Sequence, residues 1–408
     1  MNLRNPLLKI ENLKMHINTY EGKIKAVDGV DLELFAGEII GIVGESGSGK
    51  SMTSRTILKL LPEGGEVISG KITFKGRDIL QSSEEEIRTI RGSKISFIFQ
   101  NPATFLNPVL KIGDQIIENI ILHQKIKKKD ANESAIRLLT DVGLRNVDKI
   151  IDCYPHQLSG GMQQRAMIAM AISCNPDLII ADECTTALDV TTQLQILNLL
   201  KDISKKINTS IIIITHNLAV VAYLCTRTYV MYEGKTIEEA KTNDLFFDPK
   251  HDYTKKLLKS SRIIDEEKFY STEGESEILK VERIKKIFRL PRTKDPLNAV
   301  DNVSFKLKEG EIFGIAGESG SGKTTIANLL MGLLNVTSGE ITFLNKEINE
   351  FVKKDRKKFR KNIQMIFQSP FGSLNPRKTI GSILSLPINI HFKNTKDKTK
   401  KKVLELLT

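Results

Sequence analysis

The sequence predicts an α/β fold with a mainly parallel sheet, laid down twice in tandem and the second time incompletely. Three observations predict it. Strand-like apolar stretches alternate with helix-like ones, the order of an α/β domain. A glycine-rich string, GESGSGK, occurs at 44–50 and again at 317–323. The surroundings of the two copies also match: LLKIENLKM (7–15) with ILKVERIKK (278–286), AVDGVDLELFAGEIIGIVG (26–44) with AVDNVSFKLKEGEIFGIAG (299–317), and ISFIFQNPATFLNP (95–108) with IQMIFQSPFGSLNP (363–376).

Along the chain, EIIGIVG before the first glycine-rich loop and ITFKG after the loop's helix read as strands. DLIIADE (177–183) and TSIIIIT (209–215) read as strands covered on both faces, because a nearly unbroken aliphatic run leaves no solvent side. MQQRAMIAMAI (162–172) and TTQLQILNLLKDISKKI (191–207) place apolar residues at helical spacing. The polar, unpatterned run SSRIIDEEKFYSTEGESE (260–277) reads as a connection. These readings predict a complete domain over 1–262, a linker over 263–277 and an incomplete domain over 278–408. AIRLLT (135–140) matches VLELLT (403–408), so 141–262 has no second counterpart in the sequence.

Composition narrows the class. A chain of 408 residues with 40% hydrophobic content can pack two cores. Its apolar runs are far shorter than the roughly 18 residues that span a bilayer, and the N-terminal MNLRNPLLKIENLKM lacks the features of a secretory signal. The expectation is a cytoplasmic protein. Cys153, Cys174, Cys184 and Cys225 form no Cys-x-x-Cys pair, which predicts neither zinc, disulfides nor an iron–sulfur cluster. The net charge of +12 sits in lysine runs without interleaved aromatic residues, a solvated surface rather than a nucleic-acid platform.

The chemistry concentrates in short motifs. G-x-x-x-x-G-K-[ST] stands at 44–51, after a strand and before a helix. Gly44, Gly47 and Gly49 let the backbone around Glu45, Ser46 and Ser48 turn its N–H groups towards phosphates, and the helix beginning near Met52 presents its positive end to them. Lys50 is expected to pair with the β and γ phosphates of ATP, and Ser51 to hold Mg²⁺. Gly317, Ser319, Gly320, Ser321, Gly322, Lys323, Thr324 and Thr325 repeat the arrangement, with Thr324 as the corresponding metal ligand. Asp182 ends a buried strand where an acid can reach that metal, and Glu183 beside it can accept a proton from water. His216, after IIIIT, suits a hydrogen bond to the γ phosphate. In LSGGMQQR (158–165), Ser159, Gly160 and Gly161 offer a hydroxyl and free N–H groups ahead of a helix, the ingredients of a second phosphate clamp.

Phosphate loop, Gln100, LSGG, LIIADE and His216, in that order, resemble the ATP-binding cassette superfamily. The resemblance implies cassettes of the P-loop NTPase type, each with an antiparallel β subdomain and a helical subdomain. It further implies that two cassettes pair head to tail, each ATP lying between one phosphate loop and the opposite LSGG. Glu183 is then the general base. Gln100 senses metal and attacking water, with Gln368 its counterpart, and Asp189 contacts the opposite cassette. Tyr20 and Phe288 are candidates for the aromatic that stacks on adenine.

YPHQLSGGMQQRAMIAMAI (154–172), HDYTKKLLKS (251–260) and SPFGSLNPR (369–377) resemble importers of oligopeptides, dipeptides, nickel and glutathione, with a D-type cassette fused to an F-type one. That implies a peripheral ATPase on the cytoplasmic face of the membrane, under two transmembrane permease subunits served by an extracytoplasmic solute-binding protein. Cys184 and Asp252 stand where this family usually has proline. The cluster-binding cysteines of some D-type subunits have no counterpart after Asp252, so no iron–sulfur cluster is expected. A soluble double-cassette protein acting on ribosomes or DNA is the competing class, but its charged helical linker, zinc cysteines or coiled coil are lacking. Because 278–408 contains a phosphate loop but neither LSGG nor a strand-end acid pair, little activity is expected from the chain alone, and a separate F-type cassette is an expected partner.

Overall fold

The structure is a computed structural model that describes residues 5–20, 22–186, 188–261, 276–288, 296–318, 320–367, 370–392 and 395–408. It divides into two compact units, Met1–Glu267 and Lys268–Thr408.

Among the described residues the first unit contains the strands β1 (Leu8–Thr19), β2 (Gly22–Leu34), β3 (Ile39–Val43), β4 (Gly65–Phe74), β5 (Arg77–Asp78), β6 (Ile95–Ile98), β7 (Leu178–Asp182), β8 (Ser210–Ile214), β9 (Arg227–Tyr232) and β10 (Lys235–Lys241). They form an antiparallel sheet in the order β2-β1-β4-β5 and a six-stranded sheet in the order β10-β9-β3-β8-β7-β6. In the larger sheet β9, β3, β8, β7 and β6 run parallel, with Ile39 opposite Ile211, Leu178 opposite Ser210 and Ile95 opposite Leu178.

Every residue of β7 and β8 is buried. Strand alternation sends their side chains into two cores. Ile179, Ala181, Ile211 and Ile213 pack with Ile116, Ile120, Leu139, Ile168, Ile196 and Leu200 from the helices Ile112–Gln124, Lys128–Asp141, Gly160–Ile172 and Val190–Lys206. Leu178, Ile180, Ile212 and Ile214 pack against Leu8, Ile10, Leu13 and Met15 of the antiparallel sheet. Each fully buried aliphatic side chain contributes about 1.5–3 kcal/mol, so the central sheet is fixed between two apolar layers. A parallel sheet puts the carboxyl ends of its strands on one edge, where ligands of open α/β sheets bind. Here that edge carries the residues following β3, β6, β7 and β8.

The second unit repeats the antiparallel sheet. β11 (Glu277–Phe288), β12 (Leu297–Lys308), β13 (Ser338–Phe343) and β14 (Lys346–Glu347) lie in the order β12-β11-β13-β14. Their core includes Val281, Ile284, Leu329, Ile341 and Phe359. The central sheet is different. The segments 311–317 and 363–367 match β3 and β6 with their following residues in sequence, yet among the described residues neither 311–318 nor 363–367 is a strand. In the first unit β3 pairs with β8 and β9, and β6 with β7. None of those three partners has a counterpart in 278–408. An extended segment gains little without a ladder to pair its N–H and C=O groups, so these two remain irregular. They leave Ile312 and Ile366 99% and 98% exposed. Among the described residues no helix is long and apolar enough to cross a membrane.

Unpaired apolar backbone is accessible to proteases. Under limited proteolysis the first cuts within the folded units are expected in 311–318 and 363–367, well before any in 8–261, as read by mass spectrometry of the fragments. Equal survival of both units counts against this picture.

Candidate functional site

The phosphate loop leaves β3 at Gly44 and enters the helix Lys50–Ile57. Two of its glycines are obligatory. Gly44 has φ 153° and Gly49 has φ 96°, and a Cβ at either would lie 2.2 Å from the Met231 carbonyl oxygen or 2.4 Å from that of Ala26. Glu45, Ser46 and Gly47 are exposed, whereas Ser48, Gly49 and Lys50 are buried. The Lys50 ammonium donates to the carbonyls of Gly44 (2.8 Å) and Glu45 (2.7 Å) and to the Ser48 hydroxyl (3.2 Å). All three of its donors are thus spent inside the loop. Burial pulls its pKa below the ordinary lysine value, against the pull of Glu183, Asp182 and Glu45.

The other strand ends deliver the acids. Ser51 Oγ donates to Asp182 Oδ1 at 2.9 Å. Asp182 closes β7 and is only 5% exposed. Burial pushes its carboxyl above the ordinary range, the Ser51 hydrogen bond opposes this, and the neighbouring Glu183 adds to it. Glu183 follows with φ 47°, a left-handed backbone that costs an L-residue roughly 1–2 kcal/mol. Its N–H is tied to the Ile214 carbonyl (2.9 Å) and its carbonyl accepts from Thr186 N–H (3.2 Å), which hold the conformation. The Glu183 carboxylate then meets Gln100 Nε2 at 2.5 Å through Oε2 and His216 Nδ1 at 2.9 Å through Oε1. Gln100 comes from just beyond β6 and His216 from just beyond β8. Cys184, buried behind them, has its thiol pushed up to about 12, so it fills space as a neutral group.

A cavity of about 430 Å³ is lined by Ser46, Gly47, Gly49, Lys50, Ser51, Met52, Gln100 and Glu183, with Ile24, Lys25 and Ala26 of β2 forming the remaining wall. Tyr20, at the tip of the β1–β2 turn, is fully exposed and does not line it. Ser159 and Gly160 are exposed and Gly161 half-buried, all away from this cavity. There Ser159 caps the helix Gly160–Ile172 by accepting from Met162 N–H at 3.4 Å. Asp189 caps the helix Val190–Lys206, accepting from Thr192 N–H at 3.0 Å.

In the second unit Gly322 has the same φ of 96°, and a Cβ there would lie 2.2 Å from the Ala299 carbonyl oxygen. Lys323 Nζ donates to the carbonyls of Gly317 and Glu318, both at 2.6 Å. Gly317, Gly320, Ser321 and Thr324 are exposed, and Lys323 and Thr325 half-buried. Phe288 ends β11 with the Lys286 ammonium 5.2 Å from its ring centroid. Ser319 and Gln368 lie outside the described residues.

Sequence reasoning missed the wall at 24–26, which carries no motif, and Tyr253, whose hydroxyl accepts from the Glu45 N–H at 3.0 Å across 208 positions of sequence.

A family model described as ABC transporter matches residues 27–186 and 300–408. The chain belongs to the ABC transporter family. It is 41% identical over 392 residues to the peptidoglycan transport ATP-binding protein YejF of Agrobacterium fabrum, covering 95% of this chain and 71% of that one. It is 36% identical over 439 residues to the glutathione import ATP-binding protein GsiA of Pectobacterium atrosepticum, covering 98% and 70%. Among solved structures, the ATP-binding cassette MJ0796, a dimer in a post-hydrolysis state bound to ADP and Pi, aligns with a TM-score of 0.53 at 29% identity over 58% of this chain and 98% of its own. CbiO1 of Clostridium perfringens, part of the ABC transporter complex cbiONQ, aligns with a TM-score of 0.52 at 27% identity over 60% and 92%. The protein is therefore an ATP-binding ATP hydrolase of this family.

The raised Asp182 has a stability consequence. Its folded pKa exceeds its unfolded one, so the carboxylate costs stability above the unfolded value, and the cost fades as pH falls through the folded value. Asp182→Asn keeps an acceptor for Ser51 and removes the buried charge. Thermal melts should give a melting temperature at neutral pH at or above wild type, the gap closing in acid; a loss of stability at neutral pH contradicts this.

Proposed function

We propose that the chain is the ATP-hydrolysing subunit of a membrane importer for peptides or a related small solute, with a D-type first cassette fused to an F-type second one. The carrying observation is the Glu183 carboxylate, clasped between Gln100 and His216 beside Lys50, Ser51 and Asp182. Glu183 is the general base that takes a proton from the attacking water, His216 and Gln100 orient it, and Lys50 with loop N–H groups other than that of Glu45 holds the β and γ phosphates. Ser51 and Asp182 supply two oxygen donors 2.9 Å apart, the protein share of a site for Mg²⁺, which takes its other ligands from phosphates and water. Bound there, Mg²⁺ neutralises developing charge on the phosphates.

The solute class is supported by the names of the relatives and by the YPHQLSGG and SPFGSLNPR strings. An apolar groove of about 260 Å³ lies next to Gln100 and includes Phe97, Phe99, Phe105 and Met167. In this reading it seats a transmembrane permease subunit, in keeping with a peripheral position at the cytoplasmic face, with an extracytoplasmic binding protein supplying solute.

The first loop and its acids form one half-site, completed by the LSGG of another cassette, either a separate F-type cassette or a second copy of the first domain. A second reading, favoured by the exposed 311–318 and 363–367, is a chain with little activity until complemented by a separate F-type cassette.

Two measurements test this. Glu183→Gln should lower ATP turnover at least about a hundredfold, the usual worth of a general base, while leaving ATP affinity intact; unchanged turnover removes Glu183 from this role. The strictly monomeric wild-type chain should turn over slowly and be activated by an added F-type cassette. Brisk monomer turnover refutes the division of sites.

A further inference from the structure

The stretch HDYTKKLLKS at 251–260 has no part in the roles assigned above. Glu238, on β10, accepts the N–H groups of Lys250 (2.7 Å) and His251 (3.0 Å) through its two carboxylate oxygens, which fixes the start of the helix Asp252–Ser261. His251 Nδ1 accepts the Tyr253 N–H at 3.1 Å. The Tyr253 ring packs on Tyr232, the last residue of β9, with centroids 4.3 Å apart. So placed, its hydroxyl oxygen receives the Glu45 N–H at 3.0 Å. The Glu45 carbonyl meanwhile accepts from Lys50 Nζ (2.7 Å) and from Ser48 N–H (3.2 Å). This one residue of the phosphate loop is therefore held from the inside by Lys50 and from the outside by Tyr253.

We propose that Tyr253 is a positioning residue for polyphosphate binding, through which the segment 235–261 braces the phosphate loop at the Glu45 peptide. The inference rests on the reading of 44–51 as the nucleotide loop. Lys50 can bind phosphate only by releasing loop oxygens, because all its donors are spent on them. At that moment the inner hold on Glu45 is reduced to the longer Ser48 N–H contact of 3.2 Å, and the outer bond keeps its peptide from turning. A loop with Gly44 and Gly47 at positive φ has the freedom to turn without it. The acceptor is also suited to its place. Burial raises the Tyr253 hydroxyl above its ordinary pKa, so it anchors the amide without bringing a negative charge near the phosphates, as a carboxylate would.

The test is Tyr253→Phe in the full chain, which keeps the ring packed against Tyr232 and removes only the acceptor. Binding is titrated with the fluorescent probes trinitrophenyl-ATP and trinitrophenyl-AMP, alongside hydrogen exchange of the Glu45 amide. Affinity for the ATP probe should fall about three- to tenfold, the worth of one neutral hydrogen bond. Affinity for the AMP probe, which lacks the β and γ phosphates, should hold, and Glu45 should exchange faster. The ratio of the two affinities cancels any loss of folded protein, so a less stable variant still decides the matter. Equal affinities for both probes in variant and wild type, or equal losses for both, overturn the proposal. Lys50→Ala in a Lys323→Ala background, which removes the corresponding lysine of the second loop, separates this from the underlying reading: if it binds the ATP probe like the Lys323→Ala chain, the loop assignment itself fails. If it loses the ATP probe while Tyr253→Phe does not, only the brace fails.

Discussion

Everything at the first site depends on β7 and β8 lying between β3 and β6. The two inserted strands are entirely buried, and their alternating aliphatic side chains join the helical layer to the antiparallel sheet. Their parallel registers also decide which residues can meet. Asp182 reaches Ser51, and Glu183 reaches Gln100 and His216, because four strands end on the same edge. The second unit is an internal control. EIFGIAG at 311–317 differs little from EIIGIVG at 38–44, yet it is not a strand. The difference lies in the partners rather than in local propensity, in keeping with the context dependence of strands.

Insertion of the acids at this edge places charge where burial opposes it. Asp182 is buried beside Glu183, and Lys50 is buried within a ring of its own loop's oxygens. Glu183 additionally occupies a left-handed backbone conformation. Each of these costs stability in the protein alone, and each is offset by the aliphatic packing of β7 and β8 on either side. Local features that a stability argument would remove sit where charge has to be met by charge.

Much of this was legible in the sequence for identifiable reasons. The phosphate loop has a strict spacing because Gly44 and Gly49 each face a carbonyl oxygen too close for a Cβ. LIIADE and SIIIIT announced doubly covered strands because no polar residue interrupts them. Less legible were contacts made across long separations without a motif of their own. Ile24, Lys25 and Ala26 line the cavity only because of how β2 passes the loop, while Tyr20, the aromatic residue nearest them in sequence, projects from the turn into solvent. Nothing in HDYT signals that its tyrosine touches Glu45, since that contact requires β9, β10 and the following helix to be in place.

The two loops separate what a short sequence specifies from what it borrows. Gly49 and Gly322 share φ 96°, and both lysines turn back onto the carbonyls of the residues that open their loops. Loop shape is therefore local. Burial is not: Lys50 is 5% exposed, whereas Lys323 is half-buried and Gly317 lies open. Desolvation sets how strongly a cation and its anion interact, and it is supplied by strands and a helix distant in sequence. The sequence of 278–408 contains no counterpart of β7, β8, β9 or Tyr253. Within the described residues the second loop thus keeps the geometry of a phosphate site with far less burial around its lysine.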